Sequence, residues 1–559
     1  HQSVDHALVR IGFEPTPDLN VCSHENPGFY VFVRPLRARR SPGTAPHASA
    51  PFSLRGTATM IGAMSTIPKA SHEDLFTPAE SPESVGIPSA AVKRFLERID
   101  ERRICMHGFL LVRAGRIAAE GYWAPYTAES MHRMYSVSKS FVSLAVGLMM
   151  DEGRLHLDDR VVEFFPDKLS ASVHPFLAAA TVRDLLMMAT PHSRTSYTRH
   201  DPDWALTFFQ KEPSHPPGTI FSYDTAATVV LGTIVERLAG TTFLDYMRPR
   251  LLDPLGFSKQ AWCIETPEGT SWGGSGVICT LRDMAKVALL CLNGGQWKGG
   301  QLISEEYIRA ATSKQIDNSI QFGRTGYGYQ IWRHERNGFA FRGMGSQLAM
   351  AFPDWDFLFT CISDTQGQGP TGVGIEDALF EEIVDSLSPA PLHDDRDGRT
   401  ALATRIDGLR ILPQAGAYTS PWAHRVDGVT YDLEPNPMEI SELRLVFEES
   451  GGRLEYRNPR GPKTLHFGIG ATVPGEFPET AYFGRRIGTA SGKPYRCLVS
   501  AAWVEEHKLD MLVYITDDYL GTLKISLAFK GEEVGVFMTK VAEWFLDEYR
   551  GFAGGRRRD

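Results

Sequence analysis

The sequence lacks the residue patterns that mark several broad classes of protein. Its seven cysteines are scattered and form no Cys-x-x-Cys pair, which argues against a disulfide scaffold or a zinc site and fits a reducing compartment. Its 17 histidines include no His-Glu-x-x-His set or comparable cluster of ligands. We therefore expect neither a metal ion nor a cofactor.

Long apolar runs and an excess of positive charge are also missing. No run approaches the roughly 18 apolar residues that a membrane-spanning helix needs, and the first residues lack the basic-then-apolar order of a secretory signal. The formal net charge is −9 and the pI is near 6.0, which gives no support to a nucleic-acid partner or an anionic membrane. We expect a cytoplasmic protein that binds neither nucleic acid nor membrane.

The strongest positive signal is the segment 134–150, which begins Met-Tyr-Ser-Val-Ser-Lys and continues as an apolar run. It predicts a buried helix with Ser136 at its start and Lys139 one turn further on, on the same face. Free N–H groups at a helix start favour a developing anion, and burial pushes a lysine towards its neutral form. A serine beside such an amine is an activated nucleophile, although a serine before an apolar run can also be a simple N-cap.

The 559 residues allow two or more domains, and the texture of the chain changes along its length. Two strand-like runs flank Ala114-Gly115 and predict a β-hairpin over 108–123. Four further strand-like runs, at 327–332, 339–342, 347–352 and 357–362, predict an antiparallel sheet. Beyond residue 410 the pattern becomes short alternating strands, with one predicted helix at 538–549.

These changes divide the chain into five predicted regions. They are a partly flexible N-terminal extension (1–80), a first folded domain (81–390), a linker (391–409), a small β-rich accessory domain (410–552) and a disordered tail (553–559). Within the extension, residues 28–33 are a brief apolar piece that predicts a strand.

Several segments together resemble one family. They are Ser136-Val137-Ser138-Lys139, Pro217-Gly218-Thr219-x-Phe221-x-Tyr223, Gly274-Ser275-Gly276-x-x-x-Thr280-x-x-Asp283 and Asn293-Gly294-Gly295-x-Trp297. In this order they resemble the serine β-lactamases and penicillin-binding proteins over about residues 82–387. The closest likeness is to the class C-like branch with esterases, D-aminopeptidases and 6-aminohexanoate-dimer hydrolases. The resemblance implies an α+β fold in which an antiparallel sheet is flanked by helices and joined to an all-helical subdomain.

The resemblance also implies roles for individual residues. Ser136 would attack a carbonyl carbon, while Lys139 and Tyr223 would share the removal and return of its proton. A tyrosine is a poor base unless a nearby cation stabilises its phenolate, which Lys139 could do. The backbone N–H groups of Ser136 and Met344 would form the oxyanion hole.

Three further residues are candidate substrate-binding positions. Gly343 and Gly345 would let the strand come close to a substrate. Trp204, in a loop-like region, could line the cleft, although the same residue also fits a tryptophan packed in the core. The histidines of that region, His192, His200 and His215, fit solvated or structural roles better than a base or ligand set.

Two departures from the family pattern narrow the expected substrate. The second position after Tyr223 is Thr225 rather than asparagine, and the third motif, Phe341-Arg342-Gly343, lacks the usual Lys or His. Those groups bind the carboxylate and amide of β-lactams or D-Ala peptides, so we expect an esterase or amidase rather than a lactamase. Arg342 could replace the cation, but strand alternation sends it to the opposite face.

A second nucleophile motif competes with the first. Residues 269–273 read Gly-Thr-Ser-Trp-Gly and match the α/β-hydrolase elbow, which must follow a buried strand and open a helix. The preceding Glu-Thr-Pro-Glu makes a loop coincidence the better interpretation. We therefore expect a serine hydrolase that cleaves a small-molecule amide or ester through an acyl-enzyme on Ser136. The alternatives are a catalytically inactive binding or regulatory protein on the same fold and a cell-wall D-Ala carboxypeptidase; the oligomeric state is open.

Overall fold

In the computed structural model, the structure describes residues 65–318, 325–368 and 374–558. Most of the predicted N-terminal extension, with its expected strand at 28–33, lies outside these residues. Residues 65–80 run along the predicted hairpin, where the backbone N–H groups of Ala70 and Phe76 donate to the carbonyl oxygens of Ala114 and Gly115.

Residues 106–363 are built around a six-stranded antiparallel sheet. The strands before residue 370 are β1 (Met106–Arg113), β2 (Arg116–Tyr122), β3 (His132–Arg133), β4 (Trp262–Cys263), β5 (Val277–Cys279), β6 (Gln296–Trp297), β7 (Gly300–Gln301), β8 (Trp332–Arg333), β9 (Phe339–Gly343), β10 (Gln347–Phe352) and β11 (Phe357–Ser363). The strand order is β2-β1-β11-β10-β9-β8. The predicted hairpin and the last three predicted strands are confirmed, whereas residues 327–332 contribute only isolated bridges and the start of β8.

Helices cover the faces of this sheet. They are α1 (Ser89–Glu101), α2 (Ser138–Asp151), α3 (Pro175–Ala179), α4 (Val182–Leu186), α5 (Trp204–Gln210), α6 (Thr225–Ala239), α7 (Phe243–Met247), α8 (Leu281–Leu292), α9 (Glu305–Thr312), α10 (Gly374–Ala378), α11 (Arg396–Asp407) and α12 (Pro421–Val426). Phe95 of α1 contacts Phe109 of β1 and Phe359 of β11, while α8 packs on the other face. Because both faces are covered, β1, β10 and β11 are buried along their whole length.

A helical layer around α6 lies beside the sheet and supports the site. Helices α2, α4, α5 and α7 all pack against α6, whose residues from Ala226 to Val235 are buried on every side. Asp224 caps its first turn by accepting from the backbone N–H of Ala226, and Gly240 ends it with a φ of +73°. A side chain there would favour another backbone conformation, so glycine is the natural terminator. The α+β fold with an all-helical subdomain is confirmed.

The C-terminal region forms a second, separate sheet. Its strands are β12 (Thr430–Leu433), β13 (Glu442–Glu448), β14 (Gly451–Asn458), β15 (Gly461–Ile469), β16 (Val473–Phe477), β17 (Tyr495–Glu505), β18 (Lys508–Thr516), β19 (Leu520–Lys530), β20 (Glu533–Ala542) and β21 (Gly551–Arg557). They are ordered β15-β14-β13-β12-β21-β20-β19-β18-β17-β16, and an extra parallel pairing of β15 with β17 closes the sheet. We call this unit the C-terminal barrel. The predicted β-rich accessory region is confirmed.

Three expectations about this region need correction. The helix predicted at 538–549 is wrong, because β20 continues to Ala542 and residues 543–549 form bends and turns. The predicted disordered tail instead includes β21, which pairs with β12 and β20 and so leaves neither with a free edge. The predicted linker 391–409 contains α11, which packs on α1. The domain boundaries themselves stay a prediction.

In the part of the chain that the structure describes, no single helix is long and apolar enough to cross a membrane. One helix pair, Thr225–Ala239 with Phe243–Leu252, meets that test jointly but is bent by 63°.

Candidate active site

Ser136 lies on a single 3₁₀ turn, Tyr135–Val137, which leads directly into α2. Helix α2 therefore begins at Ser138, two residues later than predicted, and the Ser136 side chain does not cap it. The end of β9 presses against this turn, because a Cβ on Gly343 would lie 2.3 Å from the carbonyl oxygen of Met134. A glycine at 343 is thus required for the strand to approach the serine so closely.

Lys139 is held against Ser136 in a nearly water-free position. Its Nζ lies 2.9 Å from the Ser136 hydroxyl oxygen and donates to the Gly274 carbonyl oxygen at 2.7 Å. The lysine is 1% exposed and the serine 8% exposed. Burial lowers the pKa of Lys139 to about 7, while the negative charges of Asp224 and Glu543 oppose that shift.

Tyr223 reaches the same serine from a third direction. It lies between the turn at Gly218 and the first turn of α6, and its hydroxyl is hydrogen-bonded to Ser136. Its ring stacks on Trp332 with centroids 5.3 Å apart, and the Lys139 Nζ lies 5.0 Å from the ring centroid. Burial raises the pKa of Tyr223, partly offset by the hydrogen bond to Ser136. The resting phenol is therefore protonated near neutral pH.

The structure thus brings together the three predicted catalytic side chains from separate elements. The sequence did not identify Trp332, whose ring stacks on that of Tyr223. No motif around residue 332 indicates a contact with residue 223. The sequence did single out the Gly274-Ser275-Gly276 motif, but not the role of the Gly274 carbonyl as a partner of Lys139. Close packing explains the glycine at 274, because a Cβ there would lie 2.4 Å from the Thr225 side chain.

The loop after β9 is fixed by Gln347, another residue that the motifs did not indicate. Its side-chain amide donates to the carbonyl oxygens of Met344 at 2.8 Å and Ser363 at 2.7 Å. Gly345 has a φ of +76° and Ser346 one of +64°, which turns the chain back into β10. Met344, the predicted oxyanion donor, and the predicted substrate-binding glycines therefore belong to one tightly held hairpin beside the Ser136 turn.

Arg342 points away from this hairpin's active-site face, as strand alternation predicts. Its guanidinium forms a two-pronged ion pair with Glu376, with one contact at 3.0 Å, and His334 also approaches that carboxylate. The Arg342 and His334 charges hold the pKa of Glu376 low against the effect of burial. Arg342 is thus committed to Glu376 and does not supply the missing cation of the third motif.

The prediction that Trp204 lines the cleft needs correction. Its side chain is 0% exposed, so it cannot touch a substrate. It stacks on Tyr197 at 4.0 Å and meets the edges of Trp272 and Trp544, which makes it part of an aromatic core. The core alternative for this residue is therefore the correct one.

The competing motif and the loop histidines also have structural explanations. Ser271, of the Gly-Thr-Ser-Trp-Gly segment, is buried in an isolated bridge with Glu265 and opens no helix. His192 is buried with its Nε2 2.9 Å from the Phe208 carbonyl oxygen, and burial lowers its pKa to about 4. Within residues 65–318, 325–368 and 374–558, no group of three or more His, Cys, Asp or Glu side chains could hold a metal ion.

Comparison with known proteins places this arrangement in a family. The family described as beta-lactamase matches residues 92–380, slightly more than half of the chain. The chain belongs to the β-lactamase family. The predicted resemblance to serine β-lactamases and penicillin-binding proteins is confirmed at this level.

Named relatives of this β-lactamase-family chain cover different shares of it. The 6-aminohexanoate-dimer hydrolase of Paenarthrobacter ureafaciens is 29% identical over 283 residues, which are 48% of this chain and 70% of that protein. A beta-lactamase of Yersinia enterocolitica is 26% identical over 275 residues, 45% of this chain and 66% of the relative. The octameric penicillin-binding protein homologue from Pyrococcus abyssi covers 82% of this chain and 98% of its own at 16% identity, with a TM-score of 0.43. Family and relatives together identify a hydrolase of the β-lactamase family.

Proposed function

We propose that this protein is a serine hydrolase that cleaves an amide or ester bond through an acyl-enzyme on Ser136. The observation that carries the proposal is the buried contact of 2.9 Å between the Lys139 amine and the Ser136 hydroxyl, with Tyr223 bonded to the same hydroxyl. A nucleophile within hydrogen-bond reach of an oriented base is the arrangement that nucleophilic catalysis needs.

Lys139 is the base in the first step. With a pKa of about 7, a large share of this amine is neutral near neutral pH, and its lone pair can accept the Ser136 proton. The Gly274 carbonyl holds one amine hydrogen, which turns the lone pair towards the serine. Ser136 Oγ then bonds to the substrate carbonyl carbon, and the carbonyl oxygen takes up negative charge.

That oxyanion would be received by the backbone N–H groups of Ser136 and Met344. The contact of Gly343 with the Met134 carbonyl supports this role, because it brings the β9 hairpin directly beside the Ser136 turn. Backbone donors fixed before the reaction stabilise the transition state without reorganising. The Gln347 amide, which holds the Met344 carbonyl, keeps this part of the hairpin in place.

Tyr223 serves as the acid that protonates the leaving group. Burial raises the pKa of its hydroxyl, so it carries a proton when the tetrahedral intermediate forms. It gives that proton to the leaving amine or alcohol as the carbonyl–leaving group bond breaks, and protonated Lys139 replaces it. In deacylation a water molecule attacks the ester carbonyl, and the same groups act in reverse.

The surroundings favour a simple amide or ester substrate over a β-lactam or a D-Ala peptide. Arg342 is paired with Glu376, and position 225 carries a threonine in place of the family's asparagine, so neither of the family's usual side chains for such substrates is present. A small amide or ester is therefore the substrate class that we propose. The name of the Paenarthrobacter relative, a dimer hydrolase, agrees with an amide. The alternative of an inactive binding protein has less support, because the serine, lysine and tyrosine keep their mutual contacts.

Turnover of a p-nitrophenyl ester tests the proposal against a matched control. Ser136→Ala is expected to abolish hydrolysis, while Ser140→Ala, on the same buried helix, is expected to retain it. Ser140 bonds the Gln330 carbonyl and takes no part in the proposed chemistry. Unchanged hydrolysis by Ser136→Ala would overturn the proposed function.

A further inference from the structure

The C-terminal barrel contacts the residue immediately before the nucleophile. The Tyr135 hydroxyl accepts from the backbone N–H of Leu520 at 3.2 Å and donates to the carbonyl oxygen of the same residue at 3.4 Å. Leu520 is the first residue of β19. Tyr135 is buried and has a φ of +48°, a conformation that a non-glycine residue holds only when its surroundings enforce it.

A second contact from the barrel is made through Arg133, whose side chain is 0% exposed. Its guanidinium lies 4.2 Å from the Tyr135 ring centroid and 5.0 Å from that of Tyr519 in the barrel. Its Nη2 pairs with Glu543 at 2.9 Å, in the connection between β20 and β21. On its other side it donates to the Ser275 carbonyl oxygen at 3.0 Å and to the Ser275 hydroxyl at 3.2 Å.

These two contacts reach the residue before Ser136 and the residue after the backbone partner of Lys139. Tyr135 precedes Ser136 in the chain, and Ser275 follows Gly274, whose carbonyl oxygen holds Lys139. The barrel is therefore connected to Ser136 through the Tyr135–Leu520 hydrogen bonds and one peptide bond. It is connected to Lys139 through Glu543, Arg133 and Ser275, which is the neighbour of Gly274. Its Glu543 carboxylate also acts on Lys139 directly, since its charge opposes the loss of the lysine proton.

We propose that the C-terminal barrel positions the catalytic serine and lysine, with Tyr135 and Arg133 as positioning residues anchored on Leu520 and Glu543. This proposal rests on the proposed function of Ser136. The active site is then supported by the barrel, although every proposed group that touches the reacting carbonyl lies before residue 350.

The exposed ion pairs between the barrel and the rest of the chain differ in kind. Arg199 pairs with Asp547 at 2.7 Å and Arg486 with Glu265 at 2.7 Å, and all four side chains are about one-third to one-half exposed. Exposed pairs of this type add little stability and fix no geometry. The Tyr135 contact is instead buried and hydrogen-bonded, and the Glu543 contact is made by a guanidinium that is 0% exposed. Both meet the two segments on which the chemistry depends.

The first test is Tyr135→Phe, which removes both hydrogen bonds to Leu520 and keeps the ring. Because small misplacements of a nucleophile are costly, we expect kcat for a p-nitrophenyl ester to fall about tenfold or more, with KM nearly unchanged. The matched control is Tyr495→Phe, which removes a buried hydrogen bond to the Phe483 carbonyl within the barrel and should leave kcat unchanged.

The second test is Glu543→Gln, with Asp547→Asn as its control on the same connection. The charged groups that act on Lys139 are Asp224 and Glu543, and both favour its protonated form. Loss of the Glu543 charge should therefore move the acid limb of the kcat/KM profile to lower pH and reduce kcat. Asp547→Asn, which removes the ion pair with Arg199 and the one with Lys540 inside the barrel, should leave both unchanged.

Each kcat is referred to the concentration of sites that a fluorophosphonate labels at its end point, so a misfolded fraction does not lower the value. A wild-type kcat per labelled site in both Tyr135→Phe and Glu543→Gln, or equal losses in the two controls, would overturn the positioning proposal. Equal labelling of wild type and Ser136→Ala would instead overturn the proposed function, and the positioning proposal with it.

Discussion

The amine of Lys139 donates a hydrogen bond of 2.7 Å to the backbone carbonyl oxygen of Gly274. This bond connects the nucleophile helix to a loop 135 residues further along the chain. The bond gives the buried amine one fixed partner. The side of the amine that is not bonded to Gly274 therefore faces the Ser136 hydroxyl. The lysine is oriented as well as desolvated, and both properties lead to testable expectations.

The first prediction concerns pH. Since the pKa of Lys139 is lowered to about 7 by burial, kcat/KM should rise with pH through that value and level off above it. Asp224→Asn removes a charge that favours protonated Lys139 and keeps an N-cap side chain, so the rising limb should move to lower pH. A rising limb near the ordinary lysine pKa would contradict this assignment. The profile is measured as initial rates on a neutral ester.

The second prediction concerns the base itself. Lys139→Met replaces the amine with an uncharged chain of similar length and should reduce kcat by about 10²–10⁴-fold, the usual contribution of a general base. The fold should survive, because the position is 1% exposed and methionine keeps an uncharged chain of similar volume there. Thermal unfolding checks the fold, and retention of near-normal kcat would show that another group accepts the proton.

The third prediction concerns Tyr223. Tyr223→Phe keeps the ring on Trp332 but removes the proton donor, so kcat should fall by about 10²-fold or more with little change in stability. Tyr327→Phe is the matched control in the same aromatic cluster, since the Tyr327 hydroxyl is buried without a hydrogen-bond partner among the described residues. Equal losses in the two variants would contradict an acid role for Tyr223.

A residue's role could be predicted from the sequence when it stands in a short motif, and not when it depends on contacts with residues far away in the chain. Ser136, Lys139, Tyr223 and Gly343 stand in short motifs, and the outward direction of Arg342 follows from strand alternation alone. Trp204 was misplaced because its burial depends on Trp544, far away in the chain. No local pattern around either residue records that contact.

The same distinction explains the errors in the fold. The β9–β11 sheet could be predicted because its strands are apolar runs separated by turns. The prediction of a helix at 538–549 was wrong because the apolar residues there fit both helical and strand spacing. The neighbouring strands of the barrel decide in favour of a strand at its start. The terminal strand β21 is rich in glycine and arginine, a composition that is typical of a disordered tail. Its Gly555 is nevertheless required, since a Cβ there would lie 2.6 Å from the Asp432 carbonyl oxygen, a backbone atom.

The fourth prediction concerns the close approach of β9 to the nucleophile turn. Gly343→Ala would place a methyl group 2.3 Å from the Met134 carbonyl oxygen, a backbone atom that cannot rotate away. The strand must shift, which should cost about 1–3 kcal/mol of stability and most of the activity. Gly554→Ala is the control, because a Cβ at that strand position meets nothing within 4 Å. Thermal unfolding and ester turnover are measured for both.

The fifth prediction concerns Arg342. Because this side chain is paired with Glu376 rather than facing the site, Arg342→Leu should leave KM for a carboxylate-bearing ester unchanged. Glu376→Gln should be the more harmful variant for folding, by up to about 3 kcal/mol, since it leaves a largely buried guanidinium unpaired. A selective rise in KM for the anionic ester in Arg342→Leu would show that Arg342 binds the substrate after all.

The central claim is that Ser136 carries the acyl group, and intact-protein mass spectrometry after rapid acid quench of an ester reaction tests it most directly. We expect the protein mass to increase by the mass of the acyl group, with the modification on the peptide that contains Ser136. Ser140→Ala should show the same adduct and Ser136→Ala none. An adduct that persists in Ser136→Ala, or wild-type turnover with no acylated protein under conditions where deacylation is limiting, would contradict the account.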